Sequence, residues 1–143
     1  MEITLAKEEK RQLRLIASFY GCKVKFKKDY NGGTWHGDYI VLGPTSKSLS
    51  RTFTTFFHEI AHFINWKTGK YPIYHNPKNF MKMKKFFPKY GRLVRYSLNA
   101  EIYTEKAGAR LMKEWLGSRF KYQAYYRNAQ VCYEFLYGYN LRL

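Results

Sequence analysis

The chain has 143 residues, 45% of them hydrophobic and 20% aromatic, and its 26 Lys and Arg against 10 Asp and Glu give a net charge of +16. That hydrophobic content excludes a disordered chain, and the length fits a single domain over 1–143. The charge draws polyanions, nucleic acid first and anionic lipid second, while naming no partner by itself.

In chain order, the opening "MEITLAKEEKRQLRLI" carries acids and no apolar core region, so it does not read as a signal peptide. Over residues 4–20, Leu5, Leu13, Leu15, Ile16 and Phe19 approximate helical spacing, with Thr4 as N-cap and Gly21 as the stop. "CKVKFKK" then alternates Cys22, Val24 and Phe26 with lysines, as a half-buried strand does. "DYNGG" is a hairpin signal, and "TWHGDYIVLG" is expected to return as one second strand ended by Gly43 and Pro44. "SKSLSRTFTTFFHEIAHFINWKTG" reads as one helix, capped by Ser46 or Ser48 and stopped at Gly69. Pro72, Pro77 and Pro88 punctuate the next stretch, with a short helix over 78–87. Helices are expected over 93–116 and 120–137, split by Gly117. On the last of these, Tyr122, Tyr125, Tyr126, Ala129, Cys132, Tyr133 and Leu136 form a stripe whose spacing suits core packing more than base stacking. These elements make an α+β chain: an N-terminal helix, a small β-hairpin sheet, a long central helix and a mostly helical C-terminal half.

No run of eighteen apolar residues occurs, so no membrane partner is expected. Cys22 and Cys132 stand outside any CxxC pairing and read as free thiols of a reducing compartment. An intracellular, cytoplasmic protein is expected, including one made inside an infected cell.

The chemistry concentrates in "TFFHEIAHFINW". His58-Glu59-Ile60-Ala61-His62 is an HExxH pattern, and residues four apart on a helix lie one turn apart on one face, so both imidazoles can reach one ion. The intervening Glu59 then stands close enough to take a proton from an activated water. A helical wheel gathers Phe53, Phe56, Phe57, Ile60, Ala61, Phe63 and Ile64 on one side. His58, Glu59 and His62 fall on the opposite arc with Thr54, Thr55 and Asn65, a face expected to line a cleft. A catalytic zinc takes three protein ligands. Thr68 stands where an HExxHxxGxxH continuation would need histidine. Two candidates for the third ligand stay open: His75, in a proline-bounded loop, and Glu101, which is favoured. Acids are scarce, with eight Glu and two Asp in all, and Glu101 and Glu105 share one helix face beside the Ala107-Gly108-Ala109 run. One carboxylate can ligate while the other accepts a hydrogen bond from a ligand imidazole.

"TFFHEIAHFI" resembles the active-site helix of zincin metallopeptidases, down to Thr55 three residues before the first histidine. Glu101 followed by Glu105 is similar to the gluzincin pattern, and small phage and bacterial gluzincin-like peptidases, the ImmA/IrrE type among them, look closest in scale. A weaker resemblance is to SprT-like proteases, where a histidine at about the His75 distance completes the site ahead of an aromatic residue, as His75 precedes Phe80. The gluzincin resemblance implies a zincin-like fold, Zn2+ bound by His58, His62 and Glu101, and Glu105 supporting a histidine. The expected function is zinc-dependent peptide hydrolysis with Glu59 as general base, and Tyr71, Tyr74 and Tyr96 as candidate oxyanion donors. Expected partners are a protein or peptide substrate and, through the basic surface, nucleic acid. Two alternatives stand beside it: a nucleic-acid-binding protein with a structural metal, and an inactive zincin scaffold.

Overall fold

In the computed structural model, residues 5–28, 30, 32–43, 49–78, 80 and 91–122 are described. The first helix, α1, covers Lys7–Phe19, with Ala6 at the N-cap and no side-chain cap; Thr4 lies outside the described residues. Glu8 and Glu9 in its first turn suit the positive end of the helix dipole. It ends in a Schellman closure, with Gly21 at φ 85°, Gly21 N donating to Ser18 O and Cys22 N to Ala17 O. Leu13, Ile16 and Ala17 are buried. Leu15 and Phe19, expected on the same stripe, are 58% and 72% exposed. Leu15 stands about 200° round the helix from Leu13, and the Phe19 ring meets Tyr20 and Trp115 instead of the core.

The sheet departs from the expected hairpin. What reads as one strand over 34–43 is two, β2 (Gly33–Trp35) and β3 (Tyr39–Leu42), and β1 covers Lys23–Phe26. The strand order is β1-β3-β2, with β1 parallel and β2 antiparallel to β3. The tight turn lies at residues 36–39, not at "DYNGG": His36 N donates to Tyr39 O, and Gly37 has φ 86° at the position where a II′ turn takes glycine. The chain after β1 therefore crosses the end of β3 to reach the far edge. Gly43 N donates to Gly32 O there, and a Cβ on Gly43 would collide with the Tyr30 carbonyl. The inner face carries Trp35, Ile40 and Leu42, all buried.

The central helix α2 spans Leu49–Lys67; the expected caps Ser46 and Ser48 lie outside the described residues. Gly69, at φ 71°, closes it, with Gly69 N on Trp66 O and Lys70 N on Asn65 O. The last described helix, α3, covers Gly91–Leu116 and stops at Gly117, φ 62°. The expected helix over 78–87 falls outside the described residues apart from 78 and 80. Of the one over 120–137, residues 120–122 are described and are not helical; the rest of that stretch, with its tyrosines beyond Tyr122 and Cys132, is outside.

α2 packs between the sheet and α3. Phe53, Phe56, Phe57, Ile60 and Phe63 join Leu13, Ile16, Trp35, Ile40 and Leu42 in one core, each such burial contributing about 1.5–3 kcal/mol. At the Ala107-Gly108-Ala109 run α3 approaches closely: a Cβ on Gly108 would stand 3.1 Å from Phe57 O and 3.2 Å from His58 Cα. Among the described residues the chain is a small α+β fold of three helices and one mixed three-stranded sheet. None of the described helices is long and apolar enough to cross a membrane.

Candidate metal centre

The helical repeat of α2 sets His58 and His62 one turn apart, and their Nε2 atoms stand 3.2 Å from each other. Glu101 arrives from α3, with Oε2 3.0 Å from His58 Nε2 and Oε1 3.4 Å from His62 Nε2. One atom from each of the three residues lies within 4.8 Å of the others. A tetrahedral ion with bonds of about 2.0–2.2 Å spaces its ligand atoms about 3.3–3.6 Å apart; two imidazoles and a carboxylate suit zinc in chemistry, and their separations of 3.0, 3.2 and 3.4 Å come within a few tenths of an ångström of that spacing.

Each ring is also held from behind. Glu105 Oε2 is 3.2 Å from His58 Nδ1. His62 Nδ1 is 2.9 Å from His75 Nε2, and His75 Nδ1 donates to the Lys70 carbonyl at 2.7 Å. Tyr74 donates its hydroxyl to Glu101 Oε1. The loop that brings Tyr74 and His75 here turns at Tyr71, a non-glycine residue at φ 50°, and is pinned by His75 N on Tyr71 O. Such a left-handed residue costs on the order of 1–3 kcal/mol, offset by burial of Tyr74 and His75.

Burial and charge divide the two histidines. Burial opposes a charge on His58, but the Glu101 and Glu105 carboxylates outweigh it and hold its pKa well above the usual histidine range. Burial dominates at His62, whose pKa falls to about 3 despite Glu101. His75 is lowered by the same desolvation. Burial also works against a charged Glu101, yet His62 and His58 hold its carboxyl well below the usual range. A proton and a metal ion compete for the same His58 lone pair.

Among the described residues, the histidines of the polar arc do not line an open cleft. His62 is 1% exposed, and the His58 and Glu101 side chains are 12% exposed. The wheel carries no information about what α3, the loop at 70–78 and Phe80 place over that arc. Trp35 lies along the His62 ring at 6.3 Å between centroids, and Phe80 meets it edge-on at 5.5 Å. Trp35, absent from the sequence-based set, is tied by its indole N–H to Gly37 O. Its place depends on the β2–β3 turn, and no local pattern announces it. Glu59 is 8% exposed, packed toward β2, where a Cβ on Gly33 would come within 3.0 Å of its Cγ. β3 is paired on both sides, so β2 is an edge strand of the sheet, and it packs against α2.

Of the three tyrosines, only Tyr74 reaches the cluster. Tyr71 and Tyr96 pack on each other at 5.4 Å, and the Tyr96 hydroxyl accepts from Ile73 N. Compared with known protein families, curated proteins and solved structures, the chain matches none.

Proposed function

We propose that the chain is a zinc-dependent peptidase of zincin-like architecture, with His58, His62 and Glu101 as the metal ligands and Glu59 as general base. The observation that carries this reading is the convergence of three ligand atoms within 4.8 Å, drawn from two helices. Zinc held there supplies an electrophile for a peptide carbonyl and acidifies water. Glu59 takes a proton from the attacking water and passes it to the leaving amine nitrogen as the C–N bond breaks. Glu105 fixes the His58 ring, and Tyr74 fixes the Glu101 carboxylate, to which its one O–H donates. Quenched-fluorescence acidic peptides test the reading: Glu59→Gln is expected to lose about 10²–10⁴-fold in kcat with its zinc content unchanged. Equal rates in both proteins refute it.

The charge of +16 favours an association with nucleic acid, either to reach DNA-bound protein substrates or as the main activity around a structural metal. DNA retardation that weakens with salt and survives Glu59→Gln, in a protein with no hydrolysis, supports the second of these. Metal retained with neither activity supports the inactive scaffold.

A further inference from the structure

The hydrogen bonds behind His62 form a chain whose direction is dictated at one end. A backbone carbonyl only accepts, so the 2.7 Å contact with Lys70 O puts a proton on His75 Nδ1. In the neutral ring His75 Nε2 is then an acceptor, and among the described residues its polar neighbour is His62 Nδ1 at 2.9 Å. His62 Nδ1 must carry the proton of that bond. Its Nε2 is left with a lone pair facing His58 Nε2 at 3.2 Å and Glu101 Oε1 at 3.4 Å.

We propose that His75 is a positioning residue: through the chain Lys70 O to His75 to His62 it locks His62 in the tautomer whose Nε2 can take a metal. Both His75 nitrogens are engaged away from the point where the three ligand atoms converge, so His75 is not itself a ligand. The inference rests on the metal reading and adds a difference between the two histidines. A carboxylate, Glu105, backs His58, whereas a neutral imidazole backs His62. The wall of Trp35 and Phe80 rings around His75 and His62 keeps this relay dry, so no water can replace it cheaply. A ligand imidazole that loses such a partner binds metal about 10–100-fold more weakly.

Long-range 15N–1H spectra of the wild type are the first test. His62 and His75 are both expected as Nδ1–H tautomers, and loading with zinc shifts His62 Nε2 while neither His75 nitrogen shows a metal-bound shift. A His62 protonated on Nε2, or a metal-bound His75 nitrogen, overturns the proposal. Zinc competition titration is the second. His75→Phe is expected to bind about 10–100-fold more weakly, and His75→Gln, which keeps an acceptor facing His62, to stay within about threefold of wild type. A wild type that takes up zinc while His75→Phe binds it equally well overturns the His75 role alone. A wild type that takes up none overturns the metal reading beneath it. Should His75→Phe fail to fold, the tautomers of the wild type still decide.

Discussion

At Gly33 the edge strand leaves no room for a methyl group beside the proposed general base. A Cβ there would stand 2.8 Å from Thr55 Cγ2 and 3.0 Å from Glu59 Cγ, so Gly33→Ala must move one of those side chains. Displacing Glu59 by even a fraction of an ångström is predicted to lower kcat about 10–100-fold while bound zinc stays at the wild-type level. Kinetics with parallel metal analysis checks this, and full activity in the variant would show that Glu59 has slack. Cys22 gives a second prediction. Burial of its thiol, foremost among the causes, pushes its pKa from 9.0 up to about 12. A raised folded-state pKa means that the stability it contributes is whole below about pH 9 and declines as the pH climbs toward 12. In a Cys132→Ser background at pH 8, native Cys22 is predicted to alkylate at least about 100-fold more slowly than in urea, as followed by mass spectrometry. At this scale the sequence is most legible: the His58–His62 spacing is written into the helical repeat, and the scarcity of acids favours Glu101 while leaving His75 open. The part played by His75 is not legible, since it depends on a loop closing around Tyr71 and on a carbonyl that no side-chain pattern reveals.

Helices are more legible than strands here, for a physical reason. α1, α2 and α3 each run three turns or more and end at a glycine with positive φ, so periodicity and stop signal agree. The strands are three or four residues long, and two glycine-containing turn signals, at 31–33 and 36–38, compete within ten residues. Which of them makes the tight turn is decided by the pairing of β1 with β3, a non-local choice. The pairing of α2 with α3 carries a prediction of its own. A Cβ on Gly108 would meet Phe57 O and His58 Cα, backbone atoms that cannot rotate away. Gly108→Ala is predicted to cost about 1–3 kcal/mol in urea unfolding of the metal-free protein. It should also weaken zinc binding, because Glu101 and Glu105 ride on the helix that is pushed back. Unchanged stability and affinity together would mean that the two helices do not approach as closely as the geometry says.

Across the whole molecule, the centre exists only when the chain is folded. His58 and Glu101 are 43 positions apart, and His62 and His75 are 13 apart; α2, α3 and the loop at 70–78 must dock before the candidate ligand atoms converge. Metal held by these three residues would therefore be linked to folding. Placing three polar groups and their supports in a nearly closed interior is costly without an ion or proton to share, and that cost is what a bound cation would relieve. The central claim is that His58, His62 and Glu101 hold one zinc ion, and the metal content of chelator-free purified protein tests it most directly. Mass spectrometry of the metal is predicted to find about one zinc per chain in the wild type and in Glu59→Gln, and a small fraction of that in folded His58→Ala and Glu101→Ala. Wild-type protein without zinc, or a Glu101→Ala variant that keeps its full complement, would contradict the account.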